Sequence, residues 1–332
     1  MSDKLPSVTV IIAARPDEAE IQAVAAARRL DYPAERLEIL VARGRHPSVQ
    51  RNAALKEARG EWVYFLDDDS VPSAGNLRQA LKHLDDPAAR MVGGPNLCPP
   101  EAPPLEQVFG VVLSSWIAFG PSRARYIPVG EARPTSEKEL ILCNLLAHRD
   151  TMLELGGFNE ALYPNEENAL MDELQKRGGR LIYDPQFLVY RRPRRTLKSF
   201  ARMLMTYGRG RAEQFRLHPT PGSLLNFVPP VFCLYLTALL VLLAAAFDNP
   251  LAWLSAAPLA FYLLAILLQT AVSMPASGFW RTLAASPLLV ASHILYGLGF
   301  WRGLFTKLKP PGKGPPPGMG PAIPVALETV PL

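Results

Sequence analysis

Trp62-Val63-Tyr64-Phe65-Leu66-Asp67-Asp68-Asp69-Ser70-Val71-Pro72 is the stretch that decides how this chain is read. Five apolar residues in a row read as a buried strand, and that strand ends in three carboxylates before Pro72 closes the turn. Like charges crowded at a strand end must be desolvated together, which destabilises the fold unless a cation or strong donors compensate. A divalent ion on a diphosphate would do so. Mg²⁺ and Mn²⁺ prefer hard oxygen ligands, taking one or two protein carboxylates plus phosphate oxygens. The simpler alternative is a solvated acidic turn, because Asp is a common turn residue.

Working outward, short apolar strands alternate with helical segments. Ser7–Ala14, Leu37–Ala42, Trp62–Leu66, Met91–Gly94, Leu140–Ala147, Arg180–Tyr183 and Phe187–Tyr190 read as strands. Asp17–Leu30, Ser48–Arg59, Ala74–Leu84, Arg149–Leu155 and Glu167–Arg177 read as helices, with Ser48 a candidate N-cap and Gly178-Gly179 a stop. Leu105–Phe119 is apolar and of helical length, either a core helix or an interfacial one. This alternation predicts an α/β fold with a mostly parallel, doubly wound sheet. Ligands of such sheets bind beyond the carboxyl ends of the strands, where Asp67–Asp69 and the loops after Ala14 and Ala42 lie.

The chain has 332 residues, a formal net charge of +5 and a pI near 9.1. Its positive charge is concentrated in Arg191, Arg192, Arg194, Arg195, Lys198, Arg202, Arg209, Arg211 and Arg216. Three uncharged runs follow: Leu224–Phe247, Leu251–Met274 and Thr282–Trp301. Each is long enough for a bilayer crossing, which takes roughly 20 residues. The basic cluster therefore reads as a cytoplasmic juxtamembrane belt and not as a nucleic-acid site. Leu197–Phe215 reads as a basic amphipathic helix on the membrane surface. The expected layout is a first domain over 1–194, an interfacial helix over 195–219, membrane helices over 220–304 and a Pro/Gly-rich tail over 305–332. That tail, from Pro310 onward, reads as disordered or extended. Met1–Pro6 has no apolar leader, so the first domain is expected in the cytoplasm. Three crossings from there would put the C-terminus outside, against the inward preference of Arg302, Lys307, Lys309 and Lys313. Cys98, Cys143 and Cys233 suggest neither disulfides nor a zinc site. His148 and His218 lack ligand-like neighbours in sequence, and His293 is either a functional group within the third run or a packing residue.

The order of several short motifs over residues 6–216 resembles the family 2 glycosyltransferases of the GT-A fold. These are Val8–Ala14, Gln50-Arg51-Asn52-Ala53-Ala54, Ala58-Arg59-Gly60-Glu61, Phe65–Pro72, Gly156-Gly157-Phe158-Asn159-Glu160, Glu166-Glu167-Asn168, Tyr183-Asp184-Pro185 and Tyr207-Gly208-Arg209-Gly210-Arg211. With the apolar tail the chain looks like bacterial enzymes of exopolysaccharide synthesis, such as the succinoglycan-type transferases. The resemblance implies a GT-A domain that binds a nucleotide sugar, a UDP-sugar first of all, with Mg²⁺ or Mn²⁺. It implies Asp67 on the nucleoside and the metal, Asp69 on the metal, and Asp68 beside them. Arg51 and Asp17 join the donor site. In the Glu166-Glu167 pair, Glu167 takes the place of the base that deprotonates the acceptor, and Glu166 is the alternate. Tyr207 stands where relatives stack an aromatic on the acceptor, and Arg209 and Arg211 where a diphosphate would pair; a lipid-headgroup anchor is the other reading. Met203 and Thr206 replace the Gln and Arg that processive relatives carry. Ala42-Arg43-Gly44 replaces an acidic turn that reads the base, so Arg43, Arg45 or His46 either binds phosphate or, by preference, faces water.

The reading that results is a multi-pass enzyme of the bacterial inner membrane with its catalytic domain in the cytoplasm. It would move a sugar, with inversion, from a nucleotide-diphosphate donor to a lipid-linked or glycan acceptor in cell-surface polysaccharide synthesis. The alternative is a non-catalytic, nucleotide-sugar-binding membrane scaffold. A transporter subunit fits less well, because the spans lack paired charges and broken repeats.

Overall fold

The computed structural model describes residues 5–162, 164–217, 219, 221–308 and 323–332. His218, Lys309, Lys313 and most of the Pro/Gly-rich tail lie outside the described residues. Two compact units emerge. The first comprises residues 1–99, 121–192 and 309–332; the second comprises 100–120 and 193–308.

The first unit is built on an eight-stranded sheet in the order β11-β2-β1-β3-β8-β5-β9-β7. Its strands are β1 (Val8–Ala14), β2 (Leu37–Arg43), β3 (Trp62–Asp67), β5 (Ala89–Gly93), β7 (Arg133–Thr135), β8 (Asn144–His148), β9 (Arg180–Tyr183) and β11 (Ala326–Val330). A smaller sheet orders β4 (Val71–Pro72), β10 (Val189–Tyr190) and β6 (Asn96–Leu97) as β4-β10-β6. Strands β1, β2, β3, β5 and β9 run one way; β7, β8 and β11 run against them. The sheet is thus mixed with a parallel majority, as expected for this α/β pattern. The near-continuous apolar runs of β1 and β3 follow from burial on both faces. Val10 and Ile12 face one core, and Ile11 faces the other with Phe65 and Val63.

Helices α1 (Gln22–Ala27), α2 (Pro47–Glu57), α3 (Asn76–Leu81), α6 (Arg149–Glu154) and α7 (Glu166–Lys176) belong to this unit. Helix α1 starts later than its Ala-rich sequence suggests. Pro47 occupies the first turn of α2, so Ser48 lies inside the helix and His46 precedes it. The tail does not end as unstructured chain. β11 pairs antiparallel with β2, with Ala326 opposite Arg43 and Val330 opposite Ile39. That pairing covers a sheet edge that would otherwise be open.

The second unit holds α4 (Pro104–Leu113), α5 (Trp116–Phe119), α8 (Leu197–Leu217), α9 (Val228–Ala245), α10 (Pro250–Trp253), α11 (Ala257–Ser277) and α12 (Phe279–Phe305). The apolar segment 105–119 is broken between α4 and α5. Phe109 of α4 is buried and stacks on Phe200 of α8 at 4.2 Å, so α4 is a packed helix. Helices α8 and α12 touch backbone to backbone. A Cβ on Gly208 would come within 2.0 Å of the Tyr296 carbonyl, and one on Gly299 within 2.1 Å of the Met205 carbonyl. Small residues are what permit such an approach.

Three helical stretches, Gly222–Ala245, Pro250–Ser277 and Phe279–Phe305, are long and apolar enough to cross a membrane. Helices α11 and α12 form an antiparallel hairpin about Gly278, with Thr270 and Ser286 hydroxyls 2.8 Å apart. The far end of α12 returns to the start of α9: Trp301 Nε1 donates to the Pro230 carbonyl at 3.1 Å, and Tyr296 donates to Asn226 Oδ1 at 3.3 Å. Entry to and exit from the apolar helices therefore lie side by side. His293 donates from Nε2 to the Ile117 carbonyl at 2.9 Å and accepts from the Tyr262 hydroxyl at Nδ1 at 2.8 Å. Both ring nitrogens of a neutral imidazole are satisfied, which is the packing alternative.

Candidate functional site

Strand β3 delivers Asp67 at its carboxyl end, opposite Ala13 of the neighbouring β1. The acidic triplet continues into the turn before β4, where Ser70 N donates to the Asp67 carbonyl at 3.1 Å. Two guanidinium groups converge on it. Helix α2 presents Arg51, whose Nη2 lies 2.7 Å from Asp67 Oδ1. From beyond β10 comes Arg191, with Nε 2.5 Å from Asp69 Oδ1 and Nη2 3.2 Å from Asp67 Oδ2. The sequence places Arg191 in the basic belt; the structure places it on the acidic turn. Nothing local in Tyr190-Arg191-Arg192 signals this, because it depends on β10 pairing with β4, Val189 opposite Pro72 and Tyr190 opposite Val71. Asp68 is not paired in this way. Burial first, then the charges of Asp69 and Asp67, push its carboxyl above the usual range.

Arg51 also reaches the first turn of α7, with Nη1 3.4 Å from Glu166 Oε1. Glu166 is buried, and its Oε2 has no hydrogen-bond partner among the described residues. Burial and then the adjacent Glu167 charge push its carboxyl up to about 8. Arg51 opposes that shift, but at 3.4 Å it is farther from Glu166 than from Asp67 at 2.7 Å. Glu167 is half-buried on the same turn. The helix is entered through Asn165 in a left-handed conformation, φ 99°, an uncommon geometry for a residue with a side chain.

Asn52, next to Arg51, explains why two distant motifs occur together. Its Nδ2 donates to the Phe158 carbonyl and to Glu160 Oε1, both at 2.9 Å, while its Oδ1 accepts from Phe158 N at 2.8 Å. Gly157 has φ 71°, and a Cβ there would lie 2.5 Å from Asn52 Oδ1, so glycine is required. Gln50 donates to the carbonyls of Ala14 and Ala42, at 2.8 and 2.6 Å, joining the ends of β1 and β2 beside the site.

Other sequence candidates take no part in these contacts. Asp17 is exposed on the loop after β1. Tyr207, Arg209 and Arg211 lie on α8 in the second unit, where Arg209 Nε is 3.4 Å from Glu213. Arg43 keeps about a quarter of its side chain exposed (26%). It pairs with Glu328 of β11 at 3.3 Å and donates to the Glu18 carbonyl at 2.8 Å. His46 is buried, whereas Arg45 is exposed. His148 caps α6, accepting from Thr151 N at 3.4 Å. The three cysteines are free, and no cluster of three or more metal-ligating side chains occurs among the described residues. Asp67 and Asp69 are nonetheless two hard-oxygen donors already converging on one cation. That donor set fits an ion completed by phosphate oxygens and water.

Residues 20–105 match the family Glycosyl transferase family 2. Pre-mycofactocin glycosyltransferase of Mycobacterium tuberculosis is 29% identical over 175 residues, which is 52% of this chain and 36% of that protein. The chain thus spans about a third of the length of the curated relatives it matches. Among solved structures, the mannosyltransferase PcManGT from Pyrobaculum calidifontis, in complex with GDP-Man and Mn²⁺, is similar with a TM-score of 0.51 and 22% identity. That likeness covers 91% of this chain and 88% of the other and bears on the fold. The chain thus has a GT-A-like α/β fold in which residues 20–105 match the family 2 glycosyltransferases.

Proposed function

We propose that the protein is a membrane-associated, metal-dependent inverting glycosyltransferase that uses a nucleoside diphosphate sugar and a lipid-linked or glycan acceptor. The observation that carries this is the convergence of Asp67, Asp69, Arg51 and Glu166 at the carboxyl end of β3 and the start of α7. A glycosyl transfer needs a place for the leaving diphosphate and a carboxylate for the acceptor proton, and this edge supplies both.

In the reaction, the acceptor oxygen bonds to the anomeric carbon from the face opposite the leaving group. The bond from that carbon to the phosphate oxygen breaks, and the nucleoside diphosphate departs. Glu167 takes the acceptor proton. Glu166 is less suited at neutral pH, because a carboxyl pushed up to about 8 already holds a proton. Asp67 and Asp69 would hold Mg²⁺ or Mn²⁺ on the diphosphate, where such an ion stabilises developing negative charge as a Lewis acid. Arg51 keeps Asp67 aimed and ties the two carboxylate clusters together. Asp17 and Asp68 line the nucleoside side, and Tyr207, Arg209 and Arg211 serve the acceptor or its headgroup.

The apolar helices anchor the protein in the membrane. Adjacent entry and exit at Pro230 and Trp301, together with β11 rejoining β2, support an even number of crossings. The basic residues after α12 would then lie on the same side as the catalytic domain, in keeping with their inward preference. Asp17→Cys and Leu332→Cys, in a background without native cysteines, should react with an impermeant maleimide from the same face; reaction from opposite faces overturns this topology.

The deciding experiment is turnover of a panel of nucleotide sugars by the detergent-solubilised full chain, with Mg²⁺ or Mn²⁺ and with chelator. Metal-dependent hydrolysis or transfer of one donor supports the proposal. Tight binding of a donor without turnover favours the scaffold instead, and no binding at all removes the donor assignment.

A further inference from the structure

Arg191 occupies the place that the reaction would give to a divalent ion. Its backbone is fixed by the Arg191 N to Leu97 carbonyl bond at 2.9 Å and by the β10–β4 pairing just before it. Its fork bridges the two carboxylates that flank Asp68, at 2.5 Å to Asp69 and 3.2 Å to Asp67, with only 25% of the side chain exposed. A guanidinium and a divalent ion brought to the same two carboxylates repel each other and share their lone pairs, so each weakens the other's hold.

We infer that Arg191 is the resident cation of the Asp67/Asp69 pair and makes metal binding conditional on the donor's diphosphate. This rests on the proposed role of these carboxylates as metal ligands. Without nucleotide, Arg191 neutralises both carboxylates, and metal alone binds weakly. A diphosphate gives the guanidinium another partner of matching geometry, since its planar fork pairs with phosphate as well as with carboxylate. Asp67 and Asp69 are then released to the metal carried by the same diphosphate. The two ligands are thereby coupled, and by linkage the metal must raise nucleotide affinity by the same factor.

The test is Mn²⁺ binding to the full chain in detergent, read from loss of the free-ion spin-resonance signal, with and without UDP or GDP. Wild type should bind Mn²⁺ weakly alone and about tenfold or more tightly with the diphosphate, within the usual range for coupled sites. Arg191→Gln should bind Mn²⁺ alone about tenfold more tightly than wild type and gain less from the diphosphate. Arg191→Lys, which keeps the charge but loses the fork, should fall between them and guards against a folding defect in the Gln variant. Unchanged or weaker Mn²⁺ binding by both variants in the absence of nucleotide overturns the inference. Asp69→Asn separates the two levels: if it leaves Mn²⁺ binding intact in every condition, the metal-ligand reading fails, whatever Arg191 does.

Discussion

Two acidic clusters face each other across Arg51, and they are compensated differently. Asp67 and Asp69 have two guanidinium partners within 3.2 Å. Glu166 has one, at 3.4 Å, and a buried oxygen with no partner. The first cluster is already bridged by cationic side chains and is suited to hold a cation. The second is starved of compensation, so its carboxyl is pushed up to about 8 and is suited to hold or pass a proton. Adjacent carboxylates can therefore divide the two tasks of a glycosyl transfer, leaving-group stabilisation and proton removal, according to the cations that reach them.

The largest effect should come from breaking the proton side. Glu167→Gln should lower kcat about 10²–10⁴-fold, the usual worth of a general base, with donor affinity kept. If Glu166→Gln causes the larger loss, the buried member is the base and the assignment reverses. Breaking the cation side comes next. Asp69→Asn should cost about 10²–10³-fold in transfer and also weaken Mn²⁺ binding in the presence of diphosphate. A rate loss with Mn²⁺ binding intact would mean that Asp69 positions the sugar and does not hold metal.

The acidic residues on which this comparison rests stand out in sequence. The apolar run into Asp67–Asp69, the Glu166-Glu167 pair and the three apolar helices are local patterns whose physics depends on neighbours in the chain. Arg191 was not legible, because its role comes from a two-residue pairing between β10 and β4, more than a hundred residues apart. The same holds for β11. Ala-Leu-Glu-Thr-Val at 326–330 is a plausible strand only once the edge of β2 is available, and Arg43 finds Glu328 only through that pairing. At Ala42-Arg43-Gly44 the arginine pairs with the tail strand through Glu328.

The link between the clusters can be loosened without touching either. Asn52→Ala removes three hydrogen bonds to the 158–160 loop that leads to α7. Leaving the Phe158 amide and carbonyl short of partners should cost about 1–3 kcal/mol, seen as a lower Tm in detergent. Transfer should fall more than donor binding, because the displaced loop leads to the helix that carries Glu167 and not to the aspartates. Equal losses in both would show that Asn52 supports the whole edge.

The smallest effect concerns pH, and it tests the asymmetry most directly. Glu166 has a folded-state value near 8 against an ordinary value of 4.5, so the folded protein binds this proton more tightly than the unfolded chain does. Its contribution to stability is fully present below about pH 4.5 and is lost as pH rises towards 8. Wild type should therefore lose Tm between pH 5 and 8 relative to Glu166→Gln, by a few degrees, at about 2–4 °C per kcal/mol for a unit of this size. If the wild-type and Glu166→Gln curves run parallel from pH 5 to 8, Glu166 is ionised throughout. The two clusters would then be compensated alike, with Arg51 serving both.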